Sequence, residues 1–238
     1  MNKNMYLSLD FPTWVEAKTF IDTHEFQGVP VKVGMELFYR EGPQVIEKLK
    51  EANHTVFLDL KLHDIPTTVN KAMRNIAKLN VDMVNVHALG GSEMIQRAKE
   101  GLLAGSSSAN TTKLIAVTVL TSMDEEAMNN ELRLPGKLHE NVLHFADFSN
   151  QNGADGVVCS VHEAKAIKGV CGSSFLTVTP GIRLEESDIN DQKRIATPGF
   201  ARDNGSDILV LGRTVTKAAD PMAAYKKVIE EWKNGIRS

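Results

Sequence analysis

Short apolar runs rich in β-branched residues recur along the chain. Longer stretches separate them, in which apolar positions return every three or four residues. The runs at 6–10, 31–35, 55–61, 83–87, 114–120, 156–160, 175–179 and 208–212 are mostly continuous rather than alternating. That is the pattern of parallel strands covered on both faces. Between them the spacing predicts amphipathic helices. After Gly42, the residues Val45, Ile46, Leu49 and Ala52 share a face, as do Leu138, Val142, Phe145, Ala146 and Ser149 later on. Met222, Tyr225, Ile229 and Trp232 form the stripe of a last helix. Asp220 followed by Pro221 reads as its N-cap and first-turn proline.

Eight strands alternating with helices in 238 residues predict an α/β fold, a (β/α)8 TIM barrel forming a single domain over 1–238. The structural rival is a doubly wound open sheet. Its G-x-G-x-x-G loop is absent after the first strand, where the chain reads LSLDFPTW, which weakens a dinucleotide-binding reading. The stretch AGSSSANTT at 104–112 reads as a loop tip. The long polar segment 180–205 reads as a functional loop, of the kind that closes over a site.

Composition adds limits. With 42% hydrophobic and 24% charged residues the chain can bury a large core. A net charge of -3 supplies no overall field for nucleic acid or an anionic membrane. An anionic ligand must therefore be held by a local cationic cluster. The two cysteines, Cys159 and Cys171, match neither a metal-ligand spacing nor a disulfide framework, and Cys159 reads as a buried thiol. HENVLH at 139–144 has one residue too many for a zinc helix, so no metal site is expected there. The N-terminus has no apolar signal core, and no stretch approaches the roughly 20 apolar residues of a membrane span. The expectation is a cytoplasmic protein without a membrane partner.

In a barrel, chemistry sits at the C-terminal ends of the strands. Asp10, Lys32, Asp59, Lys61, Asp64, His87, Thr121, Arg183, Gly212 and Arg213 fall there. The stretch FLDLKLHDIPTTV is the richest. Strand alternation puts Asp59 and Lys61 on one face and Leu58, Leu60 and Leu62 on the other. Lys32 and Asp10 come from the neighbouring strands. Such a cluster reads equally as a structural ion-pair network, since those also perturb pKa values. Arg183 and Gly212-Arg213 lie after strands seven and eight, where barrels commonly bind phosphate, and the planar fork of arginine suits that anion. His87 reads as a hydrogen-bonded structural histidine.

DLKLHDIPTTV at 59–69 resembles the D-x-K-x-x-D signature of the orotidine 5'-phosphate decarboxylase family. Related sugar-phosphate barrels share that signature alone. LSLD at 7–10, KVGMELF at 32–38, LTSM at 120–123, TPGIR at 179–183, DQKRIATP at 191–198 and LVLGRTV at 209–215 also resemble family blocks, in order, over nearly the whole chain. The resemblance implies loss of CO2 from orotidine 5'-phosphate (OMP) to give UMP, the last step of UMP synthesis, with no cofactor. It implies that Lys61 protonates C6 and that Asp59 lies beside the substrate carboxylate. Lys32 and Asp64 then complete an alternating array. Asp10 and Lys32 would contact ribose, Thr121 the pyrimidine, and Arg183, Gln192, Gly212 and Arg213 the phosphate end. The resemblance further implies a homodimer in which Asp64 and Thr68 reach the partner's site. The alternative is a Mg2+-dependent hexulose- or gulonate-phosphate aldolase or decarboxylase of the same superfamily, which carries an acidic residue where Lys32 stands. A second alternative is a non-catalytic nucleotide-binding barrel, which an intact charged array argues against.

Overall fold

A computed structural model describes residues 4–106, 112–184 and 196–235. Among them, eight parallel strands close into a barrel in sequence order. They are β1 (Met5–Ser8), β2 (Val31–Gly34), β3 (Val56–Leu62), β4 (Met83–His87), β5 (Lys113–Val117), β6 (Gly156–Val158), β7 (Leu176–Thr179) and β8 (Ile208–Leu211). β1 pairs with β8 through Met5, Tyr6 and Leu7, which leaves no sheet edge. Helices alternate with the strands, so this is the predicted TIM barrel.

Two apolar layers follow from strand alternation. Tyr6, Phe57, Met83, Ile115, Val178 and Val210 fill the barrel interior, with Tyr6 edge-on to Phe57. The opposite faces, including Leu7, Val33, Leu58 and Val84, pack against the helices. Most of the predicted stripes bury: Val45, Ile46 and Leu49 in Gln44–Glu51, and Val142, Phe145, Ala146 and Ser149 in Leu138–Gln151. Leu138 is half-buried, and Ala52 is exposed because the helix ends there, with Ala52 as its C-cap. Asp220 caps Pro221–Asn234 by accepting from the Ala223 N–H. In that helix Tyr225 and Val228 are buried, while Met222, Ile229 and Trp232 are only half-covered by the core. Helices Pro66–Ala77 and Gly91–Gly105 pack closely because Gly101 has no side chain. A Cβ there would lie 2.2 Å from the Asn70 carbonyl oxygen.

Several strands are shorter at their C-terminal ends than the apolar runs suggest. β1 stops at Ser8, which leaves Asp10 in the following loop. β5 ends at Val117, because its neighbour β6 is only three residues long. Ser160, expected in strand six, instead caps helix Val161–Cys171 in a capping box with Glu163. Apolarity predicts burial there correctly, but cap geometry decides where the ladder stops.

The opposite, N-terminal rim is held by a repeated clamp. Asp82, Asp155 and Asp207 immediately precede β4, β6 and β8. Each donates its own N–H to a carbonyl near the start of the preceding strand: Val56, Leu114 and Thr177 respectively. Each carboxylate then accepts the N–H of that same residue at 2.8 Å. A lysine from the helix before the odd strand completes each unit: Lys50 at 2.8 Å, Lys99 at 2.6 Å and Lys168 at 2.5 Å. The position before β2 is Pro30, so that pair lacks the clamp. Conversion of Asp155 to Ala leaves the Leu114 N–H and Lys99 without their acceptor. It should lower unfolding free energy in urea by about 1–3 kcal/mol while leaving the chemistry of the opposite rim unchanged. A stability unchanged within error would show the clamp to be energetically idle.

Candidate active site

One layer above the apolar interior, the inward residues become polar. Ser8 follows Tyr6 on β1, Asp59 follows Phe57 on β3, and Asn85 follows Met83 on β4. All three are buried. Ser8 and Asp59 line a cavity of about 540 Å³ at the C-terminal ends of the strands, and Asn85 lies beneath it. Phe57, Val117, Val158 and Val210 supply apolar wall, and Asp10, Lys32, Asp59 and Lys61 the charge.

The charges alternate from the loop after β1 across β2 and β3. Asp10 Oδ1 accepts from Lys32 Nζ at 3.0 Å. Lys32 Nζ lies 3.3 Å from Asp59 Oδ2, and Asp59 Oδ1 accepts from Lys61 Nζ at 2.7 Å. Burial is the largest influence on Lys32 and favours its neutral form, but Asp59 and Asp10 together outweigh it and hold its pKa above the ordinary lysine value. Burial likewise favours a protonated Asp59, and Lys32, Lys61 and Asn85 override it, so its pKa lies below the ordinary value. Gly34 makes room for this packing. A Cβ there would stand 3.1 Å from Lys32 Nζ and 3.2 Å from Asp10 Oδ1.

Lys61 reaches the array through an irregular backbone. Leu58 pairs with Val84 but Leu62 pairs with Val86, so β3 bulges by two residues against β4. Lys61 sits in that bulge with φ of 52°, a left-handed conformation uncommon outside glycine. Simple alternation therefore predicts the right neighbour for Asp59 by the wrong backbone.

The second cluster lies where expected. Arg183, Gly212 and Arg213 line the same cavity, as does Thr121. Arg183 is buried, and its Nη1 donates to the Ile182 carbonyl at 2.9 Å and to Thr214 Oγ1 at 3.2 Å. Its buried Nε has no hydrogen-bond partner among the described residues. Burial and then the neighbouring Arg213 lower the Arg183 pKa. Two cations held near each other favour an anion between them, and phosphate fits that demand. Ile182 bridges to Ala196, which ties together the two ends of the segment between them.

Asp64 and Thr68 do not enter the cavity of their own chain. Both are exposed, and the Asp64 carboxylate accepts from the Ile65 N–H at 2.7 Å. Within one chain the array is Asp10–Lys32–Asp59–Lys61, and Asp64, expected to act in a partner's site, stands apart from it. The turn before Pro66 carries Asp64 past the end of β3. Gln192 lies outside the described residues. His87 is half-buried, and burial, His63 and Lys61 hold its pKa below the ordinary imidazole value. Sequence reasoning missed Ser8, Thr216 and Lys217 on the cavity wall, and Asn85 beneath the array. Asn85 carried a legible signal: a polar residue in the middle of an apolar strand requires a partner. Among the described residues, no group of three or more His, Cys, Asp or Glu side chains is placed to hold a metal ion.

A family model described as orotidine 5'-phosphate decarboxylase / HUMPS family matches residues 3–228. The chain belongs to that family. The orotidine 5'-phosphate decarboxylase of Listeria innocua is 53% identical over 232 residues, covering 98% of this chain and 99% of its own length. That of Bacillus cytotoxicus is 51% identical over 233 residues, 98% of each. Among solved structures, the orotidine 5'-phosphate decarboxylase of Lactobacillus acidophilus matches with a TM-score of 0.88 at 41% identity, covering 97% of this chain and 99% of that one. The cavity at the strand ends is thus the candidate active site of a decarboxylase-family barrel.

The pKa directions give a test. Asp59 is depressed, so its stabilising contribution is present above the unfolded carboxylate value of about 3.9 and is lost as pH falls through the lower folded value. Replacing Asp59 with Asn should destabilise the protein by about 3–5 kcal/mol near neutral pH, because Lys32 is left buried with less compensation. The gap to the unsubstituted protein should narrow below about pH 4. A gap constant from acid to neutral pH, measured by urea unfolding, would contradict the ion-pair account.

Proposed function

We propose that this chain is a carboxy-lyase that decarboxylates OMP to UMP and CO2 without metal or organic cofactor, acting as one catalytic domain. The carboxy-lyase class follows from the family and its named relatives. The observation that carries the mechanism is the alternating array ending in the Lys61 ammonium at the cavity. Lys32 stands where the Mg2+-dependent sister enzymes have an acidic residue, which favours this reading over theirs.

The chemistry accounts for the residue types. Cleavage of the bond from C6 to the carboxylate leaves an electron pair in the ring plane, where the π system cannot absorb it. Stabilisation must come from fixed charge. The Lys61 ammonium opposes the developing carbanion and then gives its proton to C6, after which solvent reprotonates the amine. Unit charges ~4 Å apart interact by about 4 kcal/mol at an effective dielectric of about 20, so one such contact lowers the barrier substantially. Asp59 fixes Lys61 and faces the substrate carboxylate. Lys32 and Asp10 take the ribose hydroxyls, and Thr121 the pyrimidine. Arg183, Gly212 and Arg213, with Gln192, take the phosphate, whose binding energy is remote from the bond that breaks and serves the chemical step.

The proposed protein is a cytoplasmic homodimer in which Asp64 and Thr68 of each chain complete the partner's array. Three exposures support this. Asp64 and Thr68 are exposed outside their own cavity, and Ile65 between them is 67% exposed although large and apolar.

Dialysed protein should convert OMP at full rate in EDTA, followed by absorbance. A Mg2+ requirement would transfer the assignment to the sister enzymes. Substitution of Lys61 by Ala should reduce kcat far more than tenfold, a loss above ~1.4 kcal/mol, while UMP still binds. Mixing Lys61→Ala with Asp64→Asn protein under subunit exchange should restore roughly a quarter of the sites, since random pairing makes about half the dimers mixed and each mixed dimer has one native site. Exchange without recovery would refute a shared site.

A further inference from the structure

Asn85 is fully buried inside the barrel, two residues above Met83 on β4. Its amide makes two short bonds of opposite sense. Nδ2 donates to Asp59 Oδ1 at 2.7 Å, and Oδ1 accepts the backbone N–H of Lys61 at 2.7 Å. The amide orientation is forced, because a carboxylate only accepts and a peptide N–H only donates. The same Asp59 oxygen also receives Lys61 Nζ. One side chain thus touches both the backbone of the lysine and the carboxylate that holds its ammonium.

The bulge makes this contact consequential. Between Leu58 and Leu62, β3 departs from its ladder with β4, so Lys61 lacks a regular strand partner there. Its left-handed φ of 52° is strained for a residue with a side chain and persists only where surroundings over-determine it. Asn85 Oδ1 supplies the acceptor that the ladder no longer provides. Without it, Lys61 N–H would be a part-buried donor free to seek another acceptor, and the bulge would lose a reason to hold its shape.

We propose that Asn85 is a positioning residue for the reaction, holding Lys61 in its bulge and Asp59 in its rotamer through one amide. It touches neither cavity nor substrate in this arrangement; it acts through the two groups that do. The inference rests on the decarboxylase reading for its activity readout.

Three measurements test it, each relative to the unsubstituted protein in the same buffer. Asn85→Ala should lower kcat by about 100-fold, the scale set by misplacing reacting atoms by about 1 Å, with KM for OMP and affinity for UMP within about threefold. A kcat loss under tenfold, or losses in KM and UMP affinity that match the loss in kcat, would overturn the role. Asn85→Asp separates positioning from folding. When protonated, the introduced carboxyl reproduces the amide, donating its O–H to Asp59 and accepting from the Lys61 N–H. When ionised it sets a second negative charge against Asp59. Asp59 and Lys61 from β3, Lys32 from β2 beyond Asp59, and His87 further along β4 are present in both proteins, so the ratio of the two kcat values isolates the substitution. Burial and Asp59 raise the introduced carboxyl, so the ratio should climb as pH falls between about pH 8 and 5; a flat ratio would overturn the proposal. Hydrogen exchange at the Lys61 amide is independent of turnover. It should be slow in the unsubstituted protein and faster in Asn85→Ala, even if OMP proves not to be the substrate; unchanged exchange would refute the contact.

Discussion

The arrangement of the site depends on one buried carboxylate between two ammonium groups. Asp59 lies 3.3 Å from Lys32 Nζ and 2.7 Å from Lys61 Nζ, and both Asp59 and Lys32 are nearly inaccessible to water. Taking each ion out of water costs several kcal/mol, which only close opposite charge and full hydrogen bonding offset. That requirement propagates outward. Asp10 must stand beside Lys32, Gly34 must lack a side chain, and Asn85 must donate to the remaining capacity of Asp59. Each of these residues is explained by the charge that it serves rather than by the barrel.

The two rims of the barrel use carboxylate–lysine pairs for different ends. At the N-terminal rim, Asp82, Asp155 and Asp207 satisfy strand N–H groups and take a lysine each from the helices. Those charges remain partly hydrated and every partner is internal, so the units are complete as they stand. At the C-terminal rim the array ends at Lys61, on the wall of an open cavity. Among the described residues its last ammonium has one carboxylate partner, and it faces space that a ligand can fill. Pairs that close on themselves hold strands together, whereas a row that stops at a cavity has electrostatic work left for a substrate.

The arginine cluster shares this logic. Arg183 is buried with its Nε unsatisfied among the described residues, and Arg213 stands close enough to lower its pKa. Thr214 steadies Arg183, accepting from its Nη1 and donating to the Ile182 carbonyl. Arg183 comes from the loop after β7, Arg213 from the start of the short helix Arg213–Thr216 after β8, and the lysines from β2 and β3, so one cavity joins distant parts of the chain.

The amino-acid order by itself determined the barrel and the family to which the chain belongs. Continuous apolar runs can be buried only on both faces, and helical stripes must cover them, so strand number and fold class were legible. The D-x-K-x-x-D spacing and the arginines after the last two strands put Asp59, Lys61, Arg183 and Arg213 at one rim, where all four line the cavity. Tertiary structure decided what depends on neighbours distant in sequence. Strand ends moved because Ser160 found a cap and β6 ran out of ladder. Lys61 reached Asp59 through a bulge, because β4 offered Asn85 in place of a regular backbone partner. Asp64 sat on the same motif as Lys61 yet left the cavity, since the turn into Pro66 redirects the chain within three residues. Local periodicity records which face is buried. Only the packed barrel fixes which polar groups meet there, because each must find its partner on another strand.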